Sequence, residues 1–149
     1  MIRILVQRED FDTGALLESL SAGNTGIGGV ASFTGLVRDF GAQSVMTLEH
    51  YPGMTERELE RIAQEAMQRW PLEGVLIVHR YGRLEPGDRI VLTAAASAHR
   101  QAAFDACMFM VDWLKTQAPF WKLEESGGER RWVEAKAADD NAAARWEKR

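Results

Sequence analysis

Two kinds of hydrophobic spacing alternate along the chain and predict its strands and helices. Apolar side chains at every second position indicate a strand over residues 2–6. Runs rich in β-branched and aromatic residues indicate further strands. These runs cover residues 30–37, 45–51, 75–81, 89–96, 120–124 and 131–136. The last two are expected to pair as a hairpin across the Ser-Gly-Gly turn at 126–128.

Apolar residues at three- and four-residue steps predict the helices. The clearest covers residues 56–70, with Thr55 and Glu58 as a capping box and Pro71 as its end. A second long helix is predicted over residues 99–117. Its expected apolar stripe consists of Phe104, Cys107, Met108, Val111 and Leu114.

Two shorter helices complete the prediction. Residues 11–20 can form one, with Asp12 or Thr13 as its cap. The polar, alanine-rich tail over residues 137–149 is expected to be a frayed, flexible helix. Since no linker or internal repeat divides the chain, we expect a single domain over residues 1–149. Strands that alternate with long helices indicate an α+β class or an α/β sandwich, with helices packed on a largely antiparallel sheet.

Composition excludes several classes of function. The net charge of −4 argues against a nucleic-acid binder that works through bulk positive charge. The single cysteine excludes an internal disulfide framework and a multi-cysteine zinc site, and it fits a reducing compartment. Apolar runs are too short for a membrane span, and the first ten residues do not read as a signal peptide. We therefore expect a cytoplasmic protein.

The usual catalytic motifs are missing. The three histidines are scattered, so a protein-bound catalytic metal is not expected, and the glycines at 23–29 lack the Lys-Ser/Thr of a phosphate loop. Cys107 is a tempting nucleophile, but its place in the stripe of a helix favours core packing. What remains is a set of basic residues within an acidic chain.

Five cations are candidates for binding or catalysis. His99 and Arg100 open a helix, where cations are locally unfavourable, so they indicate either an anion site or two solvated surface residues. Arg38 follows a strand and can clamp a phosphate or be a surface charge. Lys115 in the last turn of the helix and Lys122 between aromatic residues are each possible acid–base groups or ordinary structural lysines.

Five segments resemble the large subunit of molybdopterin synthase, in register from about residue 28 to residue 135. They are FTGLVRD (33–39), TLEHYPGMTE (47–56), WPLEGVLIVHRYGRLEPGD (70–88), SAHRQAAFDACMFMVDWLKTQAPFWKLE (97–124) and RWVEA (131–135). The motifs LEHYPGM, SAHR and LKTQAPFWKLE occur in this order, a combination that is highly specific. Residues 1–25 carry no part of the resemblance.

The resemblance implies an α/β hammerhead fold with an additional antiparallel β subdomain. It implies a sulfurtransferase of molybdenum cofactor biosynthesis that needs no metal or organic cofactor. Sulfur would pass from the C-terminal Gly-Gly thiocarboxylate of a small ubiquitin-like subunit to cyclic pyranopterin monophosphate, which makes the dithiolene of molybdopterin. Two large subunits would form a central homodimer with one small subunit docked on each, giving a heterotetramer.

The same resemblance implies roles for the five cations. Lys115 would lie beside the thiocarboxylate and Lys122 near the substrate, and both would be catalytic as well as substrate-binding. Arg38, His99 and Arg100 would hold the substrate's phosphate, in pockets built across the central dimer. Two alternatives stay open, a non-catalytic adaptor for a ubiquitin-like partner and a phosphate-ester-binding enzyme that works alone. Whether Lys115 acts covalently or as an acid–base group also stays open.

Overall fold

The computed structural model describes residues 1–133 and 137–147 and contains eight strands and four helices within them. In chain order they are β1 (Ile2–Gln7), α1 (Thr13–Ser21), β2 (Gly29–Leu36), β3 (Val45–His50), α2 (Met54–Arg69), β4 (Leu72–Arg80), β5 (Gly82–Leu84), β6 (Arg89–Ser97), α3 (Arg100–Gln117), β7 (Phe120–Ser126), β8 (Glu129–Val133) and α4 (Ala137–Ala144). The short strand β5 is absent from the sequence prediction.

The strands form two four-stranded sheets. The first has the order β1-β4-β6-β2, in which β1 runs parallel to β4 and the other pairs are antiparallel. The second has the order β5-β3-β7-β8 and is antiparallel throughout. The predicted mixed α+β class, the largely antiparallel pairing and the 126–128 hairpin are therefore confirmed.

Helices cover both faces of the first sheet, and strand alternation assigns the core residues to each face. Val75 and Ile77 of β4 pack with α2 and α3, whereas Leu76 and Val78 pack with α1. Because both faces are covered, β4 is apolar at nearly every position. None of the helices in the described ranges is both long and apolar enough to cross a bilayer.

The start of α2 differs from the prediction. The helix begins at Met54 after Gly53, whose positive φ of 86° suits a residue without a side chain. The Gly53 N–H donates to the Glu56 carboxylate (2.9 Å), which caps the helix from its third position. Thr55 is buried and its hydroxyl donates to the Tyr51 carbonyl (2.8 Å), so the predicted Thr55–Glu58 capping box is wrong.

The apolar stripe of α3 was also predicted in part incorrectly. Phe104 and Met108 are 63% and 51% exposed, whereas Phe109 and Met110 are fully buried. The reason is that α3 packs against three neighbours, the first sheet, α2 and α4, so its buried face is wider than one stripe. Cys107 is buried, as expected.

The tail was predicted to fray, but over residues 137–147 it packs on α3. Trp146 is buried and contacts the rings of Trp70 and Phe109 edge-on. Its indole N–H donates to the buried Asp112 carboxylate (2.7 Å), which also accepts from the Arg145 guanidinium (2.9 Å). A tryptophan whose ring and N–H are both satisfied in this way holds the helix in place.

Candidate active site

A pocket of about 520 Å³ lies between the two sheets and the C-terminal half of α3. Its apolar walls come from β2, β3, β6 and α3. They include Phe33, Leu36, Met46, Leu48, Ile90, Val91, Val111 and Leu114. The polar part of the lining includes two lysines, one histidine and one aspartate. The volume lies within the range of small-molecule sites, which typically combine apolar walls with few polar groups.

The two lysines of the lining are Lys115 and Lys122. Lys115 lies in the last turn of α3, where the negative end of the helix dipole favours a cation. The chain leaves the helix through Ala118 and enters β7 at Phe120, which directs Lys122 back towards the same pocket. Phe120 and Lys122 are two apart in a strand and therefore share a face. The short connection thus brings both ammonium groups to one cavity.

His79 is a lining residue that the sequence analysis did not single out. Its ring stacks on Phe120 with the centroids 3.7 Å apart and the planes 16° apart. The pKa of His79 is lowered to about 4, mainly by burial and in smaller part by the positive charge of Lys115, although a hydrogen bond to the Arg80 carbonyl opposes this shift. The ring is therefore neutral at physiological pH. Its alternation with Val75 and Ile77 in a predicted strand was the available signal that it faces inwards.

One acidic side chain lines the pocket among the described residues. Asp139 comes from α4, the helix that the Asp112 contacts hold against α3. Within this lining Lys115 and Lys122 outnumber it, so the pocket carries net positive charge in a chain whose overall charge is −4. Such a local excess attracts anions even though the whole protein is acidic.

The other three predicted site residues lie outside this lining. Arg38 follows β2 and is exposed. His99 is the N-cap residue of α3 and Arg100 its first residue, and both are exposed. Arg100 precedes Lys115 by fifteen residues, which corresponds to roughly 22 Å along a helix. Within one chain the predicted phosphate-binding residues are therefore not gathered around the two lysines.

Arg38 and the start of α3 lie at opposite ends of β2. The Gly28 N–H donates to the Ser97 carbonyl (2.9 Å), so β2 begins beside the start of α3. Phe33 and Leu36 line the lysine pocket, so β2 ends there, two residues before Arg38. The predicted roles of Arg38, His99 and Arg100 remain predictions.

Cys107 does not line the pocket, and its burial raises the pKa of its thiol above the usual value. It lies 3.4 Å from the Thr93 hydroxyl, on the sheet side of α3. A protonated, buried thiol is a poor nucleophile. Across residues 1–133 and 137–147, no three His, Cys, Asp or Glu side chains are grouped so as to hold a metal ion.

Comparison with known proteins identifies the family. The family model described as MoaE protein matches residues 6–117, so the similarity begins earlier than the motifs from residue 28 onwards indicate. The molybdopterin synthase catalytic subunit of Pseudomonas aeruginosa is 58% identical, over 97% of this chain and 98% of that protein. The same-named subunit of Mesorhizobium japonicum is 54% identical, over 96% of this chain and 92% of its own length.

The fold agrees with a solved relative. The structure described as molybdopterin biosynthesis MoaE protein from Burkholderia ambifaria superposes with a TM-score of 0.86 at 53% identity, and the match covers 98% of both chains. The family model spans well over half of this chain, and the identities lie far above the level at which unrelated proteins agree. This chain belongs to the MoaE family, whose similar members are named molybdopterin synthase catalytic subunits.

Proposed function

We propose that this chain is the catalytic subunit of a molybdopterin synthase and transfers sulfur from a small ubiquitin-like subunit to cyclic pyranopterin monophosphate. The proposal rests on one observation above all. Lys115 and Lys122 line the same cavity, although they come from different secondary-structure elements. The names of its similar relatives support the same enzyme.

The lysine pocket suits a reaction that brings two anions together. A thiocarboxylate is already an activated sulfur nucleophile, so the protein needs no cysteine of its own. It must offset the repulsion between the thiocarboxylate and the phosphorylated pterin, which is roughly 4 kcal/mol at 4 Å and an effective dielectric of 20. Lys115 and Lys122 supply that charge and donate protons as oxygen leaves the substrate and sulfur enters. A transient covalent attack by Lys115 is the alternative role of that residue.

A homodimer would complete the anion site. Strand β2 is an eight-residue edge strand, and Leu36 on it and Phe104 and Met108 on the adjoining helix are exposed apolar side chains. Long apolar edges of this kind are usually covered by another chain. We propose that a second copy covers this one through a twofold axis, so that each copy presents the same surface to the other.

Such a twofold arrangement would join the two ends of β2. If the β2 edges of two copies run antiparallel, Arg38 at the end of one strand lies beside His99 and Arg100 at the start of α3 in the other copy. Three cations would then meet next to each lysine pocket and hold the substrate's phosphate bidentately and through the helix start. Each pocket would draw on both copies.

The small subunit needs a surface from which its C-terminal tail can enter the pocket. Trp121 is 44% exposed and packs edge-on against the exposed ring of Tyr51, and it directly precedes Lys122. We propose this aromatic pair as part of the docking surface, since exposed tryptophan and tyrosine often anchor interfaces. Met110, which is fully buried, belongs to the core instead. One small subunit on each large subunit would give a heterotetramer.

Three further properties belong to the proposal. The two sheets and their helices would correspond to an α/β hammerhead with its antiparallel β subdomain. The whole chain, residues 1–149, would form one domain, consistent with the tail packing on α3. A cytoplasmic location fits a single cysteine that is unpaired and buried.

Replacement of Lys115 by Ala tests the proposed function. With thiocarboxylated small subunit and cyclic pyranopterin monophosphate supplied, we expect dithiolene product to fall on the order of 1,000-fold, because charge stabilisation and proton donation are both lost. Arg57→Ala, which removes an exposed cation on α2, is the matched control and should retain activity. Circular dichroism should show both variants folded.

Three outcomes would contradict the proposal. Near-normal turnover by folded Lys115→Ala would exclude the proposed role of this lysine. A wild-type chain that binds the small subunit but forms no product would be the adaptor instead. Product formed without any protein sulfur donor would favour an enzyme that works alone.

A further inference from the structure

His79 is a titratable side chain in the lysine pocket to which the proposed mechanism gives no role. It lies near the end of β4, on the face that Val75 and Ile77 direct towards α2 and α3. On that face the strand is otherwise apolar. A histidine at this position, half-buried and lining the cavity with Lys115 and Lys122, calls for a physical reason.

Hydrogen bonding fixes the orientation of the His79 ring. Nδ1 lies 2.8 Å from the Arg80 carbonyl oxygen. Since a carbonyl oxygen can only accept, Nδ1 carries the proton of the neutral ring and donates it. The bond leaves one flat face of the imidazole against Phe120, at a centroid distance of 3.7 Å and an angle of 16°. This is a stacked contact between two rings with defined planes.

Phe120 is the residue that this contact holds. It lies at the junction of α3 and β7, five residues after Lys115 and two before Lys122. A second histidine approaches it more loosely, since the His50 ring is 6.0 Å away at 38°. His50 is itself held by the Thr55 hydroxyl, which lies 3.1 Å from its Nδ1. Phe120 is therefore fixed by rings from β3 and β4, both of which belong to rigid sheets.

We propose that His79 is a positioning residue for the sulfur-transfer reaction, which clamps Phe120 at the α3–β7 junction and so sets the separation of Lys115 and Lys122. The proposal rests on the proposed function, because it assigns His79 a role in that reaction. The two ammonium groups must meet two anions and a leaving oxygen at once. Their spacing therefore matters more than either position alone.

Neutrality is part of this role. Burial keeps the pKa of His79 at about 4, so at pH 7 the ring adds no third positive charge beside the lysines. The charged and titratable groups around it are Lys115 on α3, His50 on β3, Lys122 on β7 and Asp139 on α4. A protonated His79 would repel Lys115. An imidazole of normal pKa would change its charge near physiological pH, so its contact with Phe120 would vary with pH.

Three substitutions at His79 separate stacking from hydrogen bonding. His79→Ala removes both, His79→Phe keeps a flat ring against Phe120, and His79→Gln keeps a polar group without the ring. We expect kcat to fall on the order of 10- to 100-fold in His79→Ala and His79→Gln, with KM for the pterin little changed. His79→Phe should recover most of the loss.

Val78→Ala is the matched control, because Val78 is the buried neighbour of His79 on the opposite face of β4. It should lower Tm while leaving kcat intact. Phe120→Ala should reproduce the loss seen in His79→Ala, and the double variant should lose little more, since both changes break one contact. The amide signals of Ala118 and of residues 120–122 in an NMR spectrum should move in His79→Ala and largely return in His79→Phe.

The results at His79 either support or contradict its proposed positioning role. If His79→Ala behaves like Val78→Ala, with lowered Tm and normal kcat, His79 is merely structural and the proposal is wrong. If His79→Phe is as impaired as His79→Ala, an imidazole nitrogen is needed and the clamp is also wrong. A wild-type chain without synthase activity would refute the proposed function instead. The NMR comparison would then still show whether His79 holds the α3–β7 junction.

Discussion

The two ends of α3 carry exposed basic side chains in different surroundings. At its C-terminal end Lys115 lines a cavity with apolar walls together with Lys122. At its N-terminal end His99 and Arg100 are exposed and line no part of that cavity. A charge beside apolar walls acts more strongly on a bound ion than a charge surrounded by water, which water and salt screen.

The helix dipole sharpens this contrast. A cation in the last turn is favoured by about 0.3–1 kcal/mol, and a cation in the first turn is disfavoured by a similar amount. Lys115 thus occupies a stable position even without a ligand, whereas Arg100 is stabilised when an anion reaches the helix start. Under the proposed function, the site at one end of α3 is complete within a single chain, and the site at the other end needs a second copy.

The largest effect is expected when two variant chains are mixed. This experiment tests whether each pocket takes Lys115 from one copy and Arg100 from the other. Lys115→Ala and Arg100→Ala should each abolish most turnover when assayed alone. If each pocket takes its lysine from one copy and its Arg100 from the other, a mixed dimer of the two variants contains one intact pocket. After subunit exchange we expect about a quarter of wild-type activity, since half of the dimers are mixed and half of their pockets intact.

The control for the mixing experiment combines two variants that each lack one of the two pocket lysines. Lys115→Ala mixed with Lys122→Ala should regain nothing beyond the separate variants if both lysines of a pocket come from one chain. That pairing leaves one damaged lysine in every pocket. Activity that fails to return in the Lys115→Ala and Arg100→Ala mixture would mean that Arg100 does not act across the dimer.

The next largest effect is expected from the exposed apolar surface between the two ends of α3. Phe104→Glu places a charge one turn after Arg100, on the proposed contact between copies. We expect the dimer dissociation constant to rise on the order of 100-fold, because a large apolar contact is replaced by a buried charge. Sedimentation or light scattering measures this directly. Gln68→Glu introduces the same charge at an exposed position of α2 and should leave the dimer unchanged. If Phe104→Glu remains dimeric, this surface is not the contact between copies.

Sequence patterns predicted most of the elements, and their failures have local explanations. The second sheet's hairpin and the pairing of helices with strands follow from spacing and turn residues. The predicted capping of α2 failed because the Glu56 carboxylate accepts from the Gly53 N–H, so the cap lies two residues earlier than Thr55 and Glu58 would place it. The predicted helix of the tail is present over Ala137–Ala144, but its packing could not be predicted, because Trp146 has a partner, Asp112, that lies 34 residues away in sequence.

The site was predictable where it is local in sequence and unpredictable where it is not. Lys115 and Lys122 lie within eight residues of each other, and the proline between them signals the turn that brings them together. His79 joins them only because β4 lies beside the end of α3 and the start of β7, a contact that spacing cannot reveal. The exposure of Phe104 and Met108 likewise depends on which neighbours surround α3.

The lowered pKa of His79 extends the comparison to pH. An unfolded chain binds a proton at His79 near pH 6.5, but the folded protein does so only near pH 4. Between these values the unfolded state holds more protons, so stability falls as pH falls. We expect a loss of about 2 kcal/mol between pH 7 and pH 5 from this residue.

Denaturant unfolding of the wild type and of His79→Phe measures that loss. The variant has no group to titrate at this position, so its stability should depend less on pH over the same range. Equal pH dependence in wild type and His79→Phe would show that His79 titrates normally in the folded protein.

The smallest expected effect concerns the residue midway between the two ends. Cys107 lies seven residues after Arg100 and eight before Lys115, but it faces the sheet and its thiol contacts Thr93. Because burial raises the pKa of this thiol, it carries no thiolate at pH 7 and contributes packing alone. Cys107→Ala should cost about 1 kcal/mol of stability through the lost contacts and leave kcat and KM unchanged. If turnover falls while the fold and the dimer persist, Cys107 contributes more than packing, and neither end of α3 holds the whole chemistry.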